Sequence, residues 1–229
     1  MNKAVGLMIA MVLAAFPALL LAQVPNEALA NKVIAVRTQN YNTMQQYTWT
    51  VQTQIIKDGN TKDTKIQQVT YGPGGVPQYT LLNDVGAPMP RGFFRKAAAE
   101  NEKKELEKFL KGLEQLVGQY TLPTPGSMVQ FLASATLMQG QDPSGKAILQ
   151  TTGSSVIVPG DTLSLTVDAA TYAFRRVEIT TFYEGQEATI SATYRTMPSG
   201  LTHMQYATVT VPSQSITVMV HNYDYMAND

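Results

Sequence analysis

The sequence predicts an α+β fold, an antiparallel sheet with helices against it, and three observations carry that prediction. After a first helical stretch, and again through the C-terminal half, apolar and polar residues alternate with a period of two, as in half-buried strands. Between these two runs stands a block of about fifty residues whose apolar positions recur at three and four, the period of a helix. Short turn signals, not helical crossovers, separate the strands within each run, so successive strands pair as antiparallel neighbours.

The chain has 229 residues, and its first 22 read as a cleaved signal peptide. Lys3 is followed by an apolar run from Ala4 and a small residue, Ala22, at a plausible cut. Pro17 interrupts the run and no basic cluster follows it, which argues against a membrane anchor. Lys3 is the only charge removed, leaving 16 basic residues against 17 acidic ones. Such a balance supplies neither the basic face that nucleic acid requires nor a polybasic patch for anionic lipid. There is no cysteine, which excludes disulfides, thiol catalysis, Cys-based zinc sites and the lipid-bearing cysteine of a bacterial lipoprotein. The expectation is an exported, soluble periplasmic protein without a lipid anchor or a membrane span, residues 23–229 forming one domain.

The elements follow in order. Asn26 to Met44 reads as a helix, with Leu29, Val33, Val36 and Met44 on one stripe. "YTWTVQTQII" places Tyr47, Trp49, Val51 and Ile55 on one face of a strand. "KDGNTKD" then turns the chain with positive φ expected at Gly59 and Asn60, "KIQQVTY" returns, "GPGG" turns again, and "QYTLLN" completes a three-stranded meander. The helical block, about residues 93–136, holds a long helix striped by Leu106, Phe109, Leu110, Leu113, Leu116, Val117 and Tyr120. A second helix is capped at Thr124, begins with Pro125 and buries Met128, Phe131 and Leu132. From Ile148 onward only strands are expected, at 155–158, 162–167, 175–183, 187–196, 202–211 and 216–225.

Register can be read from the pattern. With Glu184 and Gly185 as a two-residue loop, Ile179 faces Ile190 and Val177 faces Ala192, while Thr180, Glu178 and Arg176 meet Thr189, Ser191 and Thr193 on the polar face. Leu163 and Leu165 then lie beside Ile179 and Val177. In "VDAATYAFRRVEI" this makes Asp168 and Thr171 turn residues, the aspartate accepting nearby backbone N–H groups. In the last hairpin Val211 faces Ile216 and Tyr206 faces His221.

No nucleophile elbow, dinucleotide fingerprint, P-loop or zinc-protease motif is present. His203 and His221, the only histidines, lie too far apart along the ladder to share a metal or relay a proton. The glutamates of the long helix stand among lysines, as on a solvated face. The reading is non-enzymatic, with no catalytic residue, no metal and no cofactor.

The order of elements, with "YTWTVQTQI" after the first helix and the strand, Asp-x-x-Thr turn, strand corner of "VDAATYAFRRVEI", resembles the LolA/LolB-like superfamily, the periplasmic lipoprotein-carrier fold, as a divergent member. The resemblance implies a strongly curved antiparallel sheet, an incomplete β-barrel whose concave face is covered by helices. It implies a carrier or binding protein for an apolar ligand of the bacterial envelope: a lipid, an acyl chain or the lipid moiety of a lipoprotein. The candidates to line such a cavity are Met89, Phe93 and Phe94 ahead of the long stripe, Phe109 and Leu113 on it, Met128 and Phe131 on the second helix, and Met138 beyond. The same residues would equally make a solid core, which leaves the alternative of a non-catalytic structural or interaction module binding another envelope protein.

Overall fold

The computed structural model describes residues 26–86, 93–121 and 125–228; the signal-peptide reading of residues 1–22, the Thr124 cap and Met89 lie outside them. The described residues form α1 (Asn26–Met44), β1 (Tyr47–Lys57), β2 (Asn60–Tyr71), β3 (Pro77–Asp84), α2 (Phe93–Thr121), α3 (Pro125–Ser134), β4 (Thr136–Gln141), β5 (Ala147–Ser154), β6 (Thr162–Asp168), β7 (Phe174–Tyr183), β8 (Gln186–Thr196), β9 (Thr202–Val211) and β10 (Ile216–Ala227). The strands make one curved, ten-stranded antiparallel sheet in the order β3-β2-β1-β10-β9-β8-β7-β6-β5-β4. It does not close: β3 and β4 are its two edges. This is the α+β architecture, helices on a curved open sheet, that the resemblance implies. One long-range pairing, β1 with β10, joins the N-terminal meander to the C-terminal run.

Alternation fixed the pairing where the sheet is buried on one side only. Ile179 pairs with Ile190 and Val177 with Ala192, Leu163 with Ile179 and Leu165 with Val177, and Ile216 with Val211 and His221 with Tyr206. Slipping any of these by one residue would carry a row of aliphatic side chains into water. Glu184 and Gly185 both take positive φ, 50° and 75°, the two-residue turn whose twist matches its strands.

Three expectations are corrected. In the first hairpin the positive φ falls on Asp58 (52°) and Gly59 (72°), so Asn60 opens β2 and its amide donates back to the Asp58 carbonyl (2.9 Å). The helical block ends at Ser134, and residues from Thr136 form the edge strand β4, paired to β5. Residues 155–158 are a loop and not a strand, because Asp161 captures the N–H groups that a ladder would need.

The helices lie on the concave face. Leu29, Ala30 and Val33 of α1, Leu116 and Tyr120 of α2, and Met128, Phe131 and Leu132 of α3 pack with Leu149, Leu165, Val167, Ile179 and Ile190 in one core. Leu113 of α2 packs separately with Ala188, Val211 and Ile216. α1 straps one rim: Lys32 donates to the Tyr172 hydroxyl (3.0 Å), Asn40 exchanges two hydrogen bonds with the backbone of Thr202 (2.5 and 2.7 Å), and Tyr41 donates to the Gly75 carbonyl (2.7 Å). α2 passes beside the end of β1, where Glu102 lies 3.8 Å from Lys57.

The corner between β6 and β7 is built on Asp168. Its Oδ1 accepts from the N–H groups of Ala170 (3.0 Å) and Thr171 (2.9 Å) and from the Thr171 hydroxyl (3.1 Å), and Oδ2 from Arg175 (2.7 Å). Burial pushes this carboxyl up, but the Arg175 and turn hydrogen bonds outweigh it and bring it down to about 2. Arg176 and Glu178, 3.6 Å apart on the other face, are both exposed and contribute little.

Val177→Asp or Ile179→Asp places an unpaired charge under the helices, where Ile179 is only 2% exposed, and should abolish the cooperative thermal transition. Arg176→Ala should shift stability by under about 0.5 kcal/mol. Because the folded Asp168 value lies below the ordinary one, its contribution is full above the unfolded value and is lost as pH falls toward about 2. Urea unfolding of wild type against Asp168→Asn should show a gap of about 2 kcal/mol at neutral pH, shrinking steadily between about pH 5 and pH 2.

Candidate functional site

A partly open cavity of about 230 Å³ lies between α3 and the concave face of β6, β7 and β8. Its floor is Leu163, Leu165, Val177, Ile179, Ile190 and Ala192, and its roof is Met128 and Phe131. The end of α2 (Gln119 and Tyr120) and residues 154–157 wall one side, and Arg37, Phe174 and Tyr194 another. Two other hollows of similar size have different chemistry. One is lined by Lys57, Glu102, Glu105 and Lys108, the other by Thr and Ser of the outer sheet face. Only the first has the apolar lining with a few convergent polar groups typical of a small-molecule site.

Its walls are held by a buried polar cluster. Asp161 is fully buried and accepts from the backbone N–H groups of Val156 (2.6 Å), Ile157 (2.8 Å) and Val158 (2.8 Å). The Tyr120 hydroxyl donates to it as well (2.5 Å). With the Tyr120 proton so placed, Thr181, 2.8 Å from the same oxygen, is the donor in that contact. Burial pushes the Asp161 carboxyl up, yet the bonds from Tyr120 and the three N–H groups hold it below the ordinary carboxylate range. Burial and the Asp161 bond push the Tyr120 phenol up, so the pair is carboxylate and neutral phenol.

Glycines set the helix heights. A Cβ on Gly153 of β5 would stand 2.8 Å from the Phe131 ring, and one on Gly112 of α2 would overlap the Tyr183 hydroxyl. α3 therefore descends onto β5, and α2 onto the β7–β8 turn, only because those positions lack side chains. Near the α1 side, Tyr194 packs edge-on against Phe174, centroids 5.5 Å apart. Burial raises the Tyr194 phenol and lowers the Arg37 guanidinium, each countered by the other group.

The candidate residues do not converge. Met128 and Phe131 line the cavity. Phe109 and Leu113 belong to the second core, Phe109 edge-on to Tyr183 with centroids 5.2 Å apart. Met138 is 53% exposed on edge strand β4. Phe93 and Phe94 open α2; Met89 is outside the described residues. The sheet-floor residues and Asp161 were missed as site residues. The floor was legible as the apolar face of the β7–β8 register, whereas the sequence around Asp161 signals only a connection between strands.

His203 is buried against Tyr225 (centroids 3.9 Å) and His221 stacks on Tyr206 (4.3 Å). Among the described residues no group of three or more His, Asp or Glu could hold a metal ion, and no helix is long and apolar enough to cross a membrane.

No protein-family model and no curated protein matches the chain. Solved structures similar to it include a DUF1329 family protein from Desulfovibrio piger, 9% identical over 89% of this chain and 93% of that one, with a TM-score of 0.44. A LolA superfamily protein from Nitrosomonas europaea is 10% identical over 90% and 94%, with a TM-score of 0.35. A domain described as an outer membrane lipoprotein-sorting protein, from Vibrio parahaemolyticus, is 9% identical over 86% and 93%, with a TM-score of 0.38.

Removing the Asp161 carboxylate tests the frame. Asp161→Ala leaves three part-buried N–H groups and a buried phenol without their acceptor and should cost about 3–5 kcal/mol, whereas Tyr120→Phe should cost about 1–2 kcal/mol, both read from urea unfolding.

Proposed function

We propose that this protein binds an apolar ligand, a lipid or acyl chain, beneath α3 and serves as a non-catalytic carrier or binding protein of the bacterial cell envelope. The observation that carries this reading is the cavity itself: an aliphatic floor of six side chains from three strands, left unfilled by the helix above it. Its volume of about 230 Å³ lies just under the roughly 300–1,000 Å³ of drug-sized sites. That suits one slender chain. The leader-like residues 1–22 support an exported location. Native mass spectrometry of protein taken from the periplasm, with titration of a fluorescent fatty acid, tests the reading. Bound mass and saturable uptake are expected; a bare mass without uptake would overturn it. Ala192→Leu points a larger side chain into the cavity from a floor position and should weaken uptake about tenfold or more without lowering the melting temperature.

A second reading, an interaction module that binds another envelope protein, is favoured by one feature. Edge strand β3 and the residue after it expose Tyr79, Leu81, Leu82 and Val85, each more than half accessible, beside a row of unpaired backbone groups. Co-purification of a partner lost on Leu81→Lys would support it.

A further inference from the structure

Among the described residues twelve large hydrophobics are exposed, and five of them, Val76, Tyr79, Leu81, Leu82 and Val85, fall on β3 or within one residue of it. Every residue of β3 is exposed. Its only charge is Asp84 at the end, so the lysine that commonly guards a sheet edge is missing; a proline at the start and a register shift near the end are the protection it has. The other edge, β4, is shorter, contains a glycine and exposes one large hydrophobic residue, Met138. The hairpin tells which backbone groups of β3 face outward. The Gly72 N–H donates to the Val76 carbonyl (2.9 Å), which fixes the alternation beyond it. Thr70 and Gln78 make a hydrogen-bonded pair, while Tyr71 with Pro77, Val69 with Tyr79 and Gln67 with Leu81 are the intervening pairs, whose N–H and C=O groups point away from each other. Proline fits such a place because it has no N–H. The N–H and C=O groups of Tyr79 and Leu81 therefore point outward from the sheet.

We propose that two copies of this chain pair through β3, antiparallel about a twofold axis at Thr80. In that register Tyr79 of each copy lies opposite Leu81 of the other, and each of these pairs exchanges two backbone hydrogen bonds. Centring the axis on Tyr79 would set Leu81 against Pro77, which has no N–H for the Leu81 carbonyl. Centring it on Leu81 would set Tyr79 against Asn83, which lies past the register shift and turns its backbone groups inward to Ile66, two positions from the bonds that Val85 and Thr64 exchange. The Thr80 register also matches side chains: an aromatic ring meets an aliphatic chain twice on one face, and Thr80 meets its own copy on the other. No like charges are opposed, since Asp84 falls opposite Val76. A chain with 17 basic and 17 acidic residues meets its copy without net repulsion. A foreign partner would have to bring a matching strand, whereas a second copy already carries one. The contact is one strand wide, at the small end of specific interfaces, so the dimer should dissociate in the micromolar range. The proposal gives the β3 edge a definite occupant and does not depend on the cavity.

Because the chain has no cysteine, one introduced thiol reports the register. Thr80→Cys places two thiols in a non-hydrogen-bonded antiparallel pair with Cα atoms about 4.5 Å apart, within the span of a disulfide. Oxidised glutathione should convert most of this variant to a covalent dimer. Gln78→Cys lies four residues from its copy along the paired strands, about 14 Å, and should stay monomeric under the same oxidant. Met138→Cys on β4 should do the same. Sedimentation equilibrium of the wild type should show the mass rising from one chain to two with concentration. Leu81→Lys sets a cation at the seam and should weaken association about tenfold or more, with the melting temperature kept because the side chain is exposed. The wild-type sedimentation stands as a test without any variant. A single-chain mass up to millimolar concentration would overturn the proposal and leave the β3 edge to the reading in which another envelope protein binds it. Cross-linking of Gln78→Cys as readily as Thr80→Cys would overturn the register, and with it the proposal. Neither result bears on ligand uptake by the cavity.

Discussion

A carboxylate with no solvent access, as at Asp161, is stable only where donors replace the water it has lost, and here four converge on it: the N–H groups of residues 156–158 and the Tyr120 hydroxyl. The consequences reach three elements. The loop after β5 is drawn inward so that residues 154–157 become a cavity wall. The last turn of α2 is anchored through Tyr120, and Thr181 ties the same oxygen to β7. Because α3 follows α2 after three residues, the position of the cavity roof descends from that anchor. Specificity of this kind belongs to a polar cluster that is fully satisfied; a half-satisfied one would cost more than an apolar core.

The sheet supplies the complementary constraint. Every neighbouring pair is antiparallel, and the chain walks from strand to strand except at one point, where β1 joins β10. That contact makes a single surface of two separately legible runs. The aromatic residues near it, Trp49 stacked on Tyr225 at 5.6 Å with an interplanar angle of 8° and Tyr71 tilted against Trp49 at 5.7 Å, pack across the seam. Curvature continues through the seam, and the open edges at β3 and β4 keep the sheet a trough, not a closed barrel.

How much the sequence disclosed follows from which forces act locally. The registers of β6 through β10 were legible because side chains alternate strictly and one face is buried, so the hydrophobic effect selects a single pairing. β4 was not, since "TLMQGQ" is short, contains a glycine and lies almost wholly exposed on an edge, where no burial pattern needs to exist. Residues 155–158 carry the strand-like "SVIV", and a side chain three to six residues on overrode that propensity by taking the N–H groups. The candidate lining split for a related reason. A stripe on a 29-residue helix runs about 43 Å at 1.5 Å per residue, long enough to pass from one core to another, so Phe109 and Leu113 share a stripe with Tyr120 but not a neighbourhood. Arg37 had no signal of its own: one cation on a mixed helix face looks the same whether it meets solvent or a cavity.

The cavity itself comes from a mismatch of shapes. α-Helices are nearly straight over their length, and a twisted, curved sheet is not. A helix laid across it touches at some places and stands off at others unless side chains grow to fill the difference. Here the contacts are pulled closer still by Gly153 beneath Phe131 and by Gly112 above Tyr183, while the floor between carries nothing larger than leucine and isoleucine and narrows to Ala192. A chain selected only for stability would place a phenylalanine at Ile190 or a leucine at Ala192, for the gain of dispersion contacts and the loss of a void. Small side chains on the floor and close approach on either side are separately ordinary. Together they leave the concave face of β6–β8 incompletely covered, and this is the space on which the apolar-ligand proposal rests.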